Sequence, residues 1–273
     1  SQRKVDGQIG MSSEKHSLGL GHNNYPPSQY KGADRKSPEV YIMDLKNGTA
    51  RSLLNKEAML PIHPRRDLIA SEKWRDIGGF KHPKWSPDGT RFFWVFMIED
   101  KAGGGKVLKS ALAANADGSG IRYVSEVGQH PMWVSNDALL SYVRQPGFDH
   151  FANPSAQDIM THPIDGSPGE PIISDALGIH GSLSPDGKYF ISDIFDWPEK
   201  GTHALILYEV ASNDYRVLVR MRGEIGDTKN EMHPHPSWSR DGQRVYFNGS
   251  DTGERRLYAI DLSHFEFQPT ERN

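Results

Sequence analysis

The chain has 273 residues, a formal net charge of -3 and no cysteine. The near balance of charge gives no whole-chain reason to expect a nucleic-acid partner, and the lack of cysteine excludes disulfides and thiolate metal ligands. No apolar run reaches the roughly 18 residues of a membrane helix, and residues 1–30 lack the apolar core of a signal peptide. The sequence predicts a soluble chain without membrane insertion, and it does not decide between cytoplasm and periplasm.

The first part of the chain reads as an incomplete structural repeat. Residues 1–54 contain predicted strands and an Asn47-Gly48 hairpin turn. Residues 19–39 are expected to form a long loop between the second strand, residues 8–13, and the third. Since only residues 1–4 remain for an inner strand, we expect an N-terminally truncated or processed chain.

A polar insertion, residues 55–79, separates this repeat from the rest of the chain. Within it, residues 56–60 and 68–75 are each predicted to form a short helix. Long loops on a rigid scaffold are common places for binding residues.

A strand, a tight turn and a return strand then recur along the chain. The turns carry Ser-Pro-Asp-Gly or a related sequence, in which Asp caps the turn and Gly adopts positive φ. Their serines are spaced by 49, 49 and 55 residues, at Ser86, Ser135, Ser184 and Ser239. A period near 50 is typical of a β-propeller. We predict an all-β fold, a single β-propeller domain of four-stranded blades, with five blades visible at residues 1–54, 80–127, 128–177, 178–223 and 231–270.

Three tryptophans occupy equivalent positions just before these turns. Trp85, Trp133 and Trp238 each follow the inner strand's first residues. We predict that they pack between blades.

Histidines stand at the heads of the predicted inner strands. In a propeller these strands line the axis, so their first residues should gather at one mouth of the channel. The five residues are His82, His130, His180, His233 and His235. For His82 and His130, a purely structural role, bonding the backbone of a neighbouring blade, is the competing interpretation.

Three of these histidines are candidate metal ligands. His233 and His235 lie two residues apart, so on a strand both rings point to one face. Together with His180 they would offer three convergent imidazoles, a set that suits Mn, Fe, Ni or Zn. Asn230 could add a carbonyl oxygen.

Loops that leave the same predicted face supply further candidate binding residues. They are His22, Tyr25, Arg144, His150, Trp197 and Arg255. Arg144 and Arg255 also suit ordinary solvated loop charges, and Trp197 fits either packing or stacking on a sugar ring.

The motifs HPHPSWSRDG (residues 233–242), HGSLSPDG (180–187) and HPKWSPDG (82–89) resemble the oligogalacturonate lyases and, less specifically, TolB-like propellers. The resemblance implies a divalent metal, typically manganese, held by His180, His233 and His235. Asn230 stands where the lyases have Gln. It also implies a larger propeller, since the lyases usually have seven blades.

The chemistry implied by the resemblance is β-elimination at a uronate of an acidic oligosaccharide or polysaccharide. A cation beside the sugar carboxylate would stabilise the charge that develops when the C5 proton leaves. The base that removes this proton is expected to be His150 or Arg144, with His22 and Tyr25 as further candidates. His82, His130, Trp197 and Arg255 are the expected substrate contacts.

Two other function classes compete with a lyase. The first is a non-catalytic propeller that binds carbohydrate or protein, since fold alone does not imply catalysis. The second, the regulatory propeller of a peptidase, is disfavoured because the chain contains no G-x-S-x-G nucleophile motif. A bound metal ion at the three histidines would favour the enzyme.

Overall fold

The computed structural model describes residues 18–22, 39–47, 49–70, 74–100, 106–127, 129–144, 157–222, 233–250 and 254–267. The chain divides into two compact units. The first unit comprises residues 1–141 and 161–170, and the second comprises residues 142–160 and 171–273. Each unit is described by itself below.

The described strands form five sheets, each made of strands consecutive in sequence. Every pair whose register is described is antiparallel. The first sheet contains β1 (Leu18–His22), β2 (Glu39–Asp44) and β3 (Ala50–Asn55), and the second contains β4 (Trp74–Trp85), β5 (Arg91–Asp100), β6 (Lys106–Asn115) and β7 (Arg122–Glu126). The third contains β8 (Gln129–Trp133), β9 (Ala138–Arg144), β10 (Gln157–Pro163) and β11 (Pro171–Ala176). The fourth contains β12 (His180–Leu183), β13 (Tyr189–Ile194), β14 (Thr202–Glu209) and β15 (Asp214–Arg222), and the fifth contains β16 (Ser237–Trp238), β17 (Arg244–Gly249) and β18 (Arg256–Asp261).

This order confirms the predicted all-β fold built from propeller blades. Three sheets have four strands, and the first and fifth have three among the described residues. None of the helices in the described residues is long and apolar enough to cross a membrane.

The N-terminal part departs from the prediction in one respect. Strand β1 pairs with β2 from Leu18 opposite Asp44 to His22 opposite Val40. The expectation that a loop begins at residue 19 is therefore wrong, because the chain stays extended until His22. The strand expected at residues 8–13 lies outside the described residues.

The insertion contains the first predicted helix and only part of the second. Helix α1 (Lys56–Met59) continues into a 3-10 turn, Leu60–Ile62, and α2 follows at Arg66–Ala70. The prediction of helix as far as residue 75 is wrong, because β4 begins at Trp74 and pairs with Asp100 of β5.

The outer strand of the fifth sheet expected at residues 264–268 is not formed by the part of that range that the structure describes. Residues 264–267 form no strand. Instead, the ring of Phe267 stacks on Tyr189 with centroids 6.0 Å apart, and Phe265 meets the same ring at 6.5 Å. Aromatic packing onto the neighbouring sheet replaces strand pairing there.

The tight turns are as predicted. Ser86 and Ser184 each donate a side-chain hydrogen bond of 2.7 Å to the Asp two residues later. The glycines that end the turns, Gly89, Gly187 and Gly242, have φ of 71°, 75° and 71°, a region that favours glycine. The Asp88 amide donates to Asn136 at 3.0 Å, so consecutive turns adjoin in the first unit.

The second unit repeats this placement of turns. A Cβ atom added to Gly242 would lie 3.5 Å from the Pro185 ring, which places the fifth-sheet turn beside the fourth-sheet turn. Within each unit, the predicted gathering of turns on one side is confirmed.

Tryptophan side chains join neighbouring sheets by the same contact in both units. The Trp133 indole N–H donates to the Lys84 carbonyl at 3.0 Å, and the Trp238 indole N–H donates to the Ser182 carbonyl at 3.1 Å. These contacts confirm the predicted inter-blade role of both tryptophans. They also set the inner strands side by side, which determines where the strand heads meet.

Candidate metal centre

Three histidines of the second unit come together. A ring nitrogen from each of His180, His233 and His235 lies within 4.8 Å of the others. The ring centroids of His180 and His235 are 3.8 Å apart, and His233 lies 5.4 Å from His180 and 5.7 Å from His235. His180 is buried, His233 is half-buried and His235 is exposed. We call these residues the three-histidine cluster. The cluster is buried at His180 and reaches solvent at His235.

The backbone that carries His233 and His235 is not the β-strand that was predicted from their spacing. Strand β16 contains only Ser237 and Trp238, so neither His233 nor His235 lies in a strand. His235 has a φ of 46°. Pro234 and Pro236 lack amide donors, which prevents regular strand pairing here. The argument that two strand positions share a face is therefore wrong, and a left-handed residue between prolines brings the rings together instead.

A fully buried carboxylate, Asp193, lies directly beneath the cluster. It is 0% exposed and stands opposite His180 in the β12–β13 pair. His180 Nδ1 is 3.1 Å from one carboxylate oxygen and 3.0 Å from the other. The carboxylate also accepts the His180 amide at 2.9 Å and the His235 amide at 3.0 Å.

Tight packing on the other side of β12 fixes the position of His180. A Cβ atom added to Gly181 would lie 2.5 Å from the Ile191 carbonyl oxygen and 2.5 Å from the Tyr142 hydroxyl. Tyr142 in turn hydrogen-bonds Ser192, and burial raises the pKa of its phenol well above the ordinary value. Only glycine fits next to His180 here.

An aromatic wall closes one flank of the cluster. The Phe195 ring lies 4.6 Å from His233 and 5.7 Å from His180 by centroid. On its other side the His203 ring lies 4.6 Å from Phe195. His203 is buried, and its Nδ1 accepts the Asp196 amide at 3.4 Å. This wall shields the cluster from water on one flank, which strengthens electrostatic interactions there.

The donor set suits a divalent transition metal. Two nitrogens bound to one ion at about 2.1 Å lie roughly 3–4 Å apart. A ring nitrogen of each histidine lies within 4.8 Å of the other two, so the cluster is close to this spacing. The Nδ1 atom of His180 faces Asp193, which leaves Nε2 for a metal, the usual arrangement of a histidine ligand with an outer-shell carboxylate.

The first unit contains a separate cavity with two of the predicted histidines. It has a volume of about 200 Å³. The His82 and His130 rings stand edge to face with centroids 5.7 Å apart. Its lining consists of Lys81, His82, Val95, Met97, Lys109, His130 and Pro131, and we call it the cationic cavity.

His130 is the second residue of β8, as predicted, but His82 lies near the end of β4, so the prediction that it heads an inner strand is wrong. Both histidines have the same left-handed backbone conformation as His235. His82 and His130 have φ of 53° and 44°, and each precedes a proline. A non-glycine residue at positive φ is uncommon and concentrates at binding sites. Among the described residues that line the cavity, two lysines and two histidines supply the polar side chains, and none is a carboxylate.

A third lysine lies beside this cavity. Lys84 donates from Nζ to the Pro131 carbonyl at 3.2 Å, and burial lowers the pKa of its ammonium group. It ties the two inner strands together rather than facing a ligand.

The remaining predicted site residues are not brought together by the described structure. His22 ends β1 and Arg144 ends β9. Trp197 is half-buried with the Arg220 guanidinium 5.4 Å from its ring centre, so one ring face is already stacked. Arg255 is exposed. Tyr25, His150 and Asn230 lie outside the described residues.

Sequence reasoning missed the role of Asp193, and a signal for it was present. Counting outward from the Ser184–Gly187 turn pairs Leu183 with Phe190 and His180 with Asp193. Hairpin symmetry could therefore have placed a carboxylate opposite the histidine. Phe195, His203 and the two cavity lysines had no comparable signal, because side-chain packing determines their positions.

Comparison with known proteins supports the fold. The sequence matches no protein-family model and no curated protein. Among solved structures, the chain is similar to an oligogalacturonate lyase in complex with manganese, with a TM-score of 0.59 and 17% identity over 89% of this chain and 61% of that one. It is also similar to TolB from Acinetobacter baumannii, with a TM-score of 0.54 and 14% identity over 85% of this chain and 48% of that one. Pyrococcus horikoshii acylaminoacyl peptidase gives a TM-score of 0.55 and 13% identity over 98% of this chain and 39% of that one.

These similarities show a β-propeller fold, including the predicted likeness to lyase and TolB-like propellers. The chain spans less than two thirds of the length of each of these three structures. Because such low identity carries fold and not activity, function has to be argued from the sites themselves.

Proposed function

We propose that this chain is a metal-dependent polysaccharide lyase that cleaves an acidic oligosaccharide or polysaccharide by β-elimination at a uronate. The observation that carries the proposal is the three-histidine cluster, three convergent imidazoles above a buried carboxylate. Such a set is unusual on a scaffold that only binds partners, whereas it suits a divalent cation with open positions.

The chain's own residues would hold the ion and its surroundings. His180, His233 and His235 are the proposed ligands, and Asn230 is a proposed fourth. Manganese is the first candidate, with zinc, iron and nickel as the others. A divalent cation bound there would act as a Lewis acid toward the uronate carboxylate and lower the cost of charge that develops as the C5 proton leaves.

The cationic cavity supports an acidic substrate independently of the metal. Lys81 and Lys109 supply positive charge, and Val95 and Met97 supply an apolar floor. Charge-assisted hydrogen bonds to a carboxylate are stronger than neutral ones. We propose that His82 and His130, with these lysines, bind a carboxylate-bearing sugar unit, and that Trp197, Arg255, His22 and Tyr25 are further substrate contacts.

Proton removal requires a base near C5 of the bound sugar. We propose His150 first and Arg144 second, as the sequence suggests. A positioned base contributes roughly 10²–10⁴-fold to a rate, so replacing the correct residue lowers kcat by that factor while metal affinity stays unchanged.

The test is an ultraviolet assay on a panel of uronate polymers, with and without added divalent metal. Elimination produces a 4,5-unsaturated uronate that absorbs in the near ultraviolet, and hydrolysis does not. We expect absorbance to rise with metal and not after chelation. Cleavage without that chromophore would contradict elimination.

The binding-module alternative makes the opposite prediction in the same assay. A TolB-like propeller that only binds carbohydrate or protein would leave every polymer intact even when loaded with metal. Polymer binding without product would therefore replace the lyase proposal with this alternative.

A further inference from the structure

Asp193 contacts two separate segments of the three-histidine cluster. It accepts hydrogen bonds from the amide of His180 and from the amide of His235, which lies 42 residues further along the chain, and its oxygens lie 3.0 and 3.1 Å from Nδ1 of the His180 ring. The carboxylate is 0% exposed, so water does not compete for these hydrogen bonds.

We propose that Asp193 is a positioning residue that sets the tautomer of His180 and the backbone of His235, so that the cluster is preorganised for a cation before any cation binds. This inference rests on the proposed metal site but concerns a different property, the state of the metal-free protein.

The tautomer follows from the acceptor character of the carboxylate. An ionised carboxylate only accepts hydrogen bonds, so a neutral His180 facing it carries its proton on Nδ1. Nε2 is then left with its lone pair, which is the form that binds a metal. The opposite tautomer would place a hydrogen on Nε2, where a ligand lone pair is needed.

The His235 contact explains how an exposed, left-handed residue keeps its place. The residue has a φ of 46°, a conformation that is unfavourable for a non-glycine residue. A charge-assisted hydrogen bond of 3.0 Å from its amide to the buried carboxylate opposes that cost. Asp193 therefore holds both segments, since the β12–β13 pairing alone would fix only His180.

The most direct test is nitrogen-15 NMR of the histidine rings in the metal-free protein. We expect the His180 ring in the Nδ1–H form, with hydrogen on the nitrogen that faces Asp193. An Nε2–H form, or an even mixture, in the wild-type protein would overturn the proposal, and this measurement needs no variant.

The variant Asp193→Asn sharpens the test because it keeps the side-chain volume. The Asn amide can donate to Nδ1, which would move the ring proton to Nε2. A comparable wrong-tautomer effect follows replacement of the buried Asp in serine proteases. We expect the tautomer to switch and the affinity for Mn²⁺ or Zn²⁺, measured by calorimetry, to fall 10–100-fold.

Asp196→Asn is the matched control. Asp196 lies three residues further along, is exposed, and accepts the Gly201 amide at 2.7 Å. We expect the His180 tautomer and the metal affinity of this variant to match those of the wild type. Unchanged metal affinity in folded Asp193→Asn, or an equal loss in Asp196→Asn, would contradict the proposal. Because neither readout involves cleavage, a failure of the lyase function leaves this test intact.

Discussion

The same two-residue sequence, His followed by Pro, has opposite surroundings in the two units. In the first unit His82 and His130 border the cationic cavity with Lys81 and Lys109, where the residue that pairs with Lys81 is Val95. In the second unit His235 meets two more imidazoles and donates its amide to Asp193. A left-handed histidine before proline therefore lies near two lysines in one unit and near a buried carboxylate in the other. The neighbouring charges, and not the backbone feature, distinguish the proposed anion site from the proposed metal site.

The largest expected effect comes from removing one imidazole of the three-histidine cluster. His180→Ala or His235→Ala leaves two imidazoles. We expect metal affinity to fall more than about 100-fold and elimination to fall to background, because the ligand set is incomplete. Competition with a chromophoric chelator measures the affinity. His264→Ala, an exposed histidine of the same unit, is the control. Wild-type affinity in His235→Ala would show that the cluster is not the ligand set.

Low pH should lower the stability of the protein, because two buried histidines of the first unit resist protonation in the folded state. Burial lowers the pKa of His162 and of His63 from 6.5 to about 4. As the pH falls below about 6.5, the unfolded chain takes up these protons before the folded chain does, so stability is full above that pH and is lost progressively toward pH 4. Each group contributes on the order of 2 kcal/mol to that loss.

Denaturant unfolding between pH 7 and pH 4 measures this effect. In the folded protein, Ser125 and Ser141 hydrogen-bond the two ring nitrogens of His162 at 2.8 and 2.9 Å. His162→Gln should reduce the pH dependence, and His264→Gln should not. An identical pH profile in His162→Gln and wild type would refute the assignment.

Charge removal at the cationic cavity should weaken anion binding without affecting the metal. We expect Lys81→Met or Lys109→Met to lower the affinity for galacturonate about 10–100-fold, since a hydrogen bond to a charged group contributes about 1.5–3 kcal/mol. Galactose, which lacks the carboxylate, should bind equally to variant and wild type. Calorimetry on the metal-free protein provides the measurement.

Lys188→Met is the control for this prediction, because Lys188 is an exposed lysine of the second unit. A loss of galacturonate affinity in this control as large as in Lys81→Met would indicate a general charge effect rather than a site.

The smallest expected effect is the loss of one tryptophan hydrogen bond between inner strands, and it should be equal in the two units. Trp133→Phe and Trp238→Phe each remove one indole hydrogen bond to a neighbouring inner strand. We expect each to lower the free energy of unfolding by about 1 kcal/mol. Chemical denaturation compares them. A cost confined to one of the two variants would show that the shared scaffold is not equivalent in the two units.

The fold could be predicted largely from the sequence because it repeats. Asp and Gly predict turns such as Ser184–Gly187, and each turn fixes the register of the strands that flank it. The lack of a strand at residues 264–267 could not be predicted, because Phe265 and Phe267 take part in tertiary packing on Tyr189 that no local pattern shows.

The grouping of His180, His233 and His235 was predictable from the sequence, but the geometry of the cluster was not. The spacing of His233 and His235 suggested a strand face, whereas two prolines and a left-handed φ produce the convergence. Lys81 and Lys109 come from different strands of one blade, so their meeting at a cavity depends on packing and not on spacing.

The most direct test of the central claim is the metal content of the purified protein together with that of His235→Ala. Both would be saturated with Mn²⁺ or Zn²⁺, desalted and analysed by mass spectrometry. The three-histidine cluster predicts one tightly held ion per wild-type chain and none in the variant. Less than a tenth of an ion per wild-type chain, or equal content in the two proteins, would contradict a metal centre at these histidines.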